Sequence, residues 1–111
     1  MTNQVDAIDL DKLQHRSFEA ADFLKTLANS NRLVILSRLL GTERCVGDLE
    51  KNLNISQSAL SQHLGRMRAE GLVTTRRESQ QIFYSIKDPR VTKMLTLTYS
   101  LFCEGELAEA V

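Results

Sequence analysis

Ser56-Gln57-Ser58-Ala59-Leu60-Ser61-Gln62-His63-Leu64-Gly65-Arg66-Met67-Arg68-Ala69-Glu70-Gly71-Leu72-Val73 is the stretch whose reading decides the fold. It has the pattern of one helix with a marked start and stop. Ser56 is an N-cap residue that can accept from the free N–H groups of the first turn. Gly71 is the residue expected in the left-handed conformation that ends a helix. Leu60, Leu64 and Met67 recur at helical spacing and predict one buried stripe. Ser58, Ser61, Gln62 and Gly65 repeat at the same period on another side. That face is short-chained, polar and uncharged, unlike the Glu- and Lys-rich face of a solvent-facing helix. It suits close approach to another surface, and Ser and Gln both donate to and accept from base edges.

The flanking segments strengthen this reading. Cys45 to Leu53 predicts a short helix with Val46, Leu49 and Leu53 inside, and Asn54-Ile55 is a tight turn into the long one. Two helices joined so closely, the second with a polar outer face over 45–71, form a helix-turn-helix. After Gly71 the period changes to two. Residues 73–77 and 81–86 predict an antiparallel hairpin about a polar turn at Glu78-Ser79-Gln80, with Ile82, Tyr84 and Ile86 on one face. A hairpin directly after a recognition helix is a wing, spanning 72–86. Arg76, Arg77 and Gln80 are placed at or near its tip, where phosphate or the minor groove lies.

Outside this unit, residues 1–9 predict a flexible start, and a first helix is expected over 10–28. A second helix, capped by Ser30 or Asn31, runs through Leu40 to a stop at Gly41. Asp88-Pro89 opens a last helix over 88–108, since proline at the first turn loses no hydrogen bond. Its apolar side holds Val91, Met94, Leu95, Leu101 and Phe102. The chain has 111 residues and 42% hydrophobic content, enough for one small domain over 1–111. The first and last helices carry more apolar surface than that domain can bury, so pairing into a homodimer is expected. Two-fold pairing also sets two recognition helices one DNA turn apart, as an inverted repeat requires.

The formal net charge is +0, but charge is unevenly distributed. Residues 32–90 hold ten basic and six acidic side chains, and the two ends hold four basic and eight acidic. A basic middle suits phosphate contact by the centre of the chain. No apolar run reaches the roughly 20 residues of a membrane span, and the start lacks a signal pattern, so a cytoplasmic protein without membrane contact is expected. No nucleophile–base pair, Gly-rich phosphate loop or paired-carboxylate site is readable. That points away from an enzyme and from any cofactor.

The order of elements resembles the ArsR family of bacterial winged-helix repressors. The residues that carry the likeness are Leu27-Ala28-Asn29-Ser30-Asn31-Arg32-Leu33, Cys45-Val46-Gly47-Asp48-Leu49, Ser58-Ala59-Leu60-Ser61-Gln62-His63-Leu64 and Gly71-Leu72-Val73. The resemblance implies a homodimeric repressor that leaves its double-stranded operator when an inducer arrives. The expected base contacts are Gln57, Ser58, Ser61 and Gln62, and the expected phosphate contacts are Arg66, Arg68, Arg76 and Arg77. By the same resemblance His63 is structural or supports the DNA contact. No partner ligand stands at helical spacing from it, so it is not expected to hold a metal.

Family members differ in what they sense. An arsenic-sensing member has Cys-Val-Cys-Asp-Leu where this chain has Gly47 in place of the second cysteine. The zinc-type site needs histidines that the last helix lacks. What remains is Cys45 and Cys103. This placement resembles the BigR, SqrR and YgaV branch, which answers sulfide through persulfides, and by that likeness the two are a sensing pair for reactive sulfur species or another oxidant. Two other readings stay open. Cys45 and Cys103 are ligands of a metal or metalloid sensor, completed from a second subunit, or the winged helix pairs with protein and not with DNA.

Overall fold

The computed structural model describes residues 4–104. A 3-10 turn at Gln4–Ala7 leads to α1 (Leu10–His15) and α2 (Ser17–Leu27). These are two helices, where one had been expected over 10–28. Asp9 caps α1 by accepting from Asp11 N and Lys12 N. At Arg16, φ −104° and ψ 9° leave helical geometry, and the chain restarts at Ser17. α3 (Ser30–Arg38) is capped by Asn29, not by Ser30 or Asn31: the Asn29 side chain accepts from Arg32 N at 3.1 Å. A turn through Gly41, at φ +68°, follows it.

The sheet contains a strand that sequence periodicity did not predict. β1 (Arg44–Cys45) is two residues long and pairs antiparallel with β3 (Gln81–Ile86), which also pairs with β2 (Val73–Glu78). The strand order is β1-β3-β2. Cys45 lies opposite Phe83 in this register, and Arg76 lies opposite Phe83 on the other side. β2 and β3 confirm the hairpin, with the turn confined to Ser79 and Gln80. Ser79 takes φ +58°, the one non-glycine in the left-handed region among the described residues.

α4 (Val46–Asn52) and α5 (Gln57–Ala69) form the helix-turn-helix. Ser56 Oγ accepts from Ala59 N at 3.2 Å, as its position implied. Gly71 takes φ +78° and closes α5: its N–H donates to Arg68 O, and Leu72 N donates to Met67 O at 2.9 Å. These two hydrogen bonds satisfy two end carbonyls of the helix. Leu72 O then accepts from Lys87 N and Asp88 N, which ties the base of the wing to the end of α5.

Leu60, Leu64 and Met67 are all buried, with Leu36, Leu49 and Val91 from neighbouring helices among the core around them. α6 (Pro89–Tyr99) begins under the Asp88 cap as expected. Its regular geometry ends at Tyr99, where a π-helical turn, Ser100–Glu104, takes over. Residues 105–108 of the expected last helix lie outside the described residues. α1 buries no residue at all, and Phe18 is 88% exposed, Phe102 72% and Leu10 70%. No helix among the described residues is long and apolar enough to cross a membrane.

Candidate nucleic-acid interface

The outer face of α5 is open. Gln57, Ser58, Ser61 and Gln62 are exposed, and their side chains make no hydrogen bond within the described residues. Their donors and acceptors are therefore available to a partner. Gly65 lies on the same exposed face. A Cβ built at Gly65 meets nothing within 4 Å. Its φ is not positive, so the fold itself does not require glycine there. Glycine within a helix costs about 1 kcal/mol relative to alanine. Its bare backbone leaves room for a surface approaching from outside.

His63 sits at the edge of this face, half-buried. Its Nδ1 accepts from Arg32 Nε at 3.1 Å. Burial first, and the Arg32 charge second, push the imidazole below its ordinary pKa, which favours its neutral form. The sequence resemblance had assigned His63 a supporting part. Its partner, Arg32, lies 31 residues away, and nothing in the sequence linked the two.

The arginines separate into engaged and free. Arg76 is held on several sides. Its Nε donates to Glu43 at 2.9 Å, its Nη2 to Glu43 Oε1, and its Nη1 to Glu78 at 2.7 Å. The guanidinium also lies 4.7 Å from the Phe83 ring centroid. This bonding holds the Glu43 carboxyl below the usual carboxylate range. Arg76 thus braces the wing to the segment ahead of β1. Arg66 makes an i,i+4 pair with Glu70 at 3.6 Å, exposed and weak. Arg68 and Arg77 are exposed and make no ion pair among the described residues. Gln80 is exposed at the wing turn. Arg77→Ala is expected to weaken binding to all duplex sequences and to lower the salt slope by about one per subunit, measured by fluorescence anisotropy against salt. Arg76→Ala is expected to change that slope less, because its charge is already spent on Glu43 and Glu78.

Both cysteines are free thiols and both are half-buried. Cys45 ends β1 and is also the N-cap residue of α4. A groove of about 290 Å³ beside it is lined by Val46, Gly47, Gln80, Gln81 and Ile82. Cys103 lies in the π-helical turn after α6. No group of three or more His, Cys, Asp or Glu side chains capable of holding a metal ion occurs among the described residues.

A helix-turn-helix, an adjoining hairpin and an unengaged polar face on the second helix define a winged helix-turn-helix DNA-binding protein. The family described as "Bacterial regulatory protein, arsR family" matches residues 29–75. Transcriptional activator HlyU of Vibrio cholerae is 43% identical over 98 residues, covering 88% of this chain and 91% of that protein. The biofilm growth-associated repressor of Agrobacterium fabrum is 41% identical over 99 residues, covering 89% and 85%. The crystal structure of the transcriptional repressor BigR from Xylella fastidiosa aligns with a TM-score of 0.82 at 36% identity, covering 86% of this chain and 98% of that one. The chain belongs to the ArsR family. It is a DNA-binding transcription regulator and not an enzyme.

Proposed function

We propose that this regulator is a homodimeric repressor that releases an inverted-repeat operator when Cys45 and Cys103 are joined by reactive sulfur species. The reading puts Gln57, Ser58, Ser61 and Gln62 on base edges, with Arg66, Arg68 and Arg77 on phosphate and His63 and Gln80 at the margins of the contact. Arg76 contributes by holding the wing. The dimer forms through α1, α2 and the last helix. The exposed Leu10, Phe18, Leu101 and Phe102 support this, since surfaces of monomeric proteins rarely gather so much apolar area.

The observation that carries the sulfur reading is the position of Cys45. It is the last residue of a strand paired to the wing and the cap of the helix beneath α5. The chemistry balances without a metal. The Cys45 thiolate attacks the outer sulfur of a low-molecular-weight persulfide, forming Cys45 persulfide and expelling a thiolate. The Cys103 thiolate then attacks the inner sulfur of that persulfide, forming a disulfide and expelling hydrosulfide. A second sulfur transfer before closure gives a trisulfide by the same displacement. Longer bridges span Cα separations that a direct S–S bond, limited to about 7 Å, does not.

The test is release from duplexes selected out of a random pool by the reduced protein. Polysulfide is expected to release the wild type, with the bridge visible in intact mass, and to leave Cys45→Ser and Cys103→Ser bound. Full release of the double variant by polysulfide would refute the sulfur mechanism.

A further inference from the structure

Arg32 holds three parts of the molecule at once. Its backbone N–H donates to the Asn29 cap at the start of α3. Its Nη1 donates to Thr26 O at 3.0 Å, near the end of α2, where Thr26 is buried. Its Nε donates to His63 Nδ1 in the middle of α5. The guanidinium is thus fixed by the backbone of α2 and aimed at one ring nitrogen of the helix that faces outward.

An imidazole whose Nδ1 accepts from a permanent cation keeps its proton on Nε2. Nε2 has no hydrogen-bond partner in the described residues. No buried side-chain nitrogen or oxygen of a non-exposed residue lacks a partner there, so Nε2 reaches solvent. His63 stands three residues before Arg66 and one after Gln62, which places it at the rim of the exposed α5 face.

We propose that Arg32 is a positioning residue that locks His63 as the Nε2–H tautomer, making it a neutral donor to a DNA backbone phosphate at the rim of α5. The proposal rests on α5 being the DNA-facing helix. A donor of this kind differs from arginine in a measurable way. It adds affinity and orientation but releases no counterion, so it leaves the salt slope unchanged.

The first arm is a long-range 1H–15N NMR spectrum of the free, full-length protein at pH 7.5. His63 is expected as the Nε2–H tautomer, with exposed His15 serving as the internal reference. Arg32→Ala is expected to return His63 to a mixed population. Arg32→Lys, which keeps the charge but lacks Nε, is expected to do the same and serves if the alanine variant fails to fold. The second arm is binding to a fluorescein-labelled duplex of mixed sequence at low salt. His63→Asn offers an acceptor near the Nδ1 position and has no donor at Nε2. It is expected to bind about tenfold more weakly, with the salt slope of the wild type.

An Nδ1–H tautomer in the wild type would overturn the lock. Unchanged affinity in His63→Asn, or a salt slope lowered by about one per subunit, would overturn the neutral donor. Wild-type protein that fails to bind the duplex would remove the phosphate contact along with the DNA reading, while the tautomer spectrum would still decide the lock.

Discussion

Replacing Phe18 with aspartate is expected to halve the mass of the particle in solution and to weaken operator binding by about 100-fold or more. Phe18 lies on α2 and is 88% exposed, so the folded protomer gives its ring almost no cover. A carboxylate there costs the isolated protomer little, because the side chain already faces water. In the proposed dimer closed through the terminal helices it would be buried in the seam, where a charge meets apolar surface. The loss of affinity follows from linkage: two half-sites bound together are far tighter than one. Size-exclusion chromatography with light scattering reads the mass, and thermal melting verifies that the protomer remains folded. An unchanged dimer mass would show that the two copies meet elsewhere.

Gly65→Gln is expected to move stability and binding in opposite directions. The helix gains roughly 0.5–1 kcal/mol from losing its central glycine, and a Cβ at this exposed position meets no atom within 4 Å in the free protein. Binding to the selected operator is expected to fall about ten- to a hundredfold, since intrusion at the closest approach displaces contacts worth roughly 1–3 kcal/mol each. Chemical denaturation and anisotropy on the same preparation read both quantities. A variant that is stabilised and binds as well as the wild type would show that this face of α5 does not approach the duplex closely.

The parts of the molecule written in local chemistry were legible in the sequence. Ser56, the Leu60-Leu64-Met67 stripe and Gly71 define α5, and each acts within a few residues of itself. The alternation through Ile82, Tyr84 and Ile86 found the hairpin, and Asp88-Pro89 found the start of α6. What escaped reading depends on partners far along the chain or on geometry without a residue signature. Strand β1 is two residues long, too short to alternate. The break at Arg16 has no glycine or proline to announce it. The cap at Asn29 was misplaced because Asn29, Ser30 and Asn31 are all competent cap residues, and only the fold chooses among them.

The interface was legible in the same uneven way. The polar face of α5 follows from helical period alone. The state of each arginine does not, because Arg76 is engaged by Glu43 from 33 residues away. The link from Arg32 to His63 was likewise invisible, since nothing in the spacing of two residues on separate helices shows that they touch. Charge counting treated Arg76 and Arg77 alike, yet the fold makes one a fastening and leaves the other without an ion pair among the described residues.

The double placement of Cys45, closing a strand and opening a helix, has a mechanical corollary. Cys45 shares a groove with Gln80-Gln81-Ile82, at the tip of the hairpin, and an adduct on its sulfur would enter that groove. On the proposed sulfur mechanism the same adduct would also press on the first turn of α4, whose Leu49 shares a core with Leu60 and Leu64 of the reading helix. One chemical event would therefore be transmitted along two limbs that grip the duplex at different points. Such a fulcrum would turn a displacement of a few ångströms into a mismatch of pitch between protein and helix, without any part of the fold having to melt.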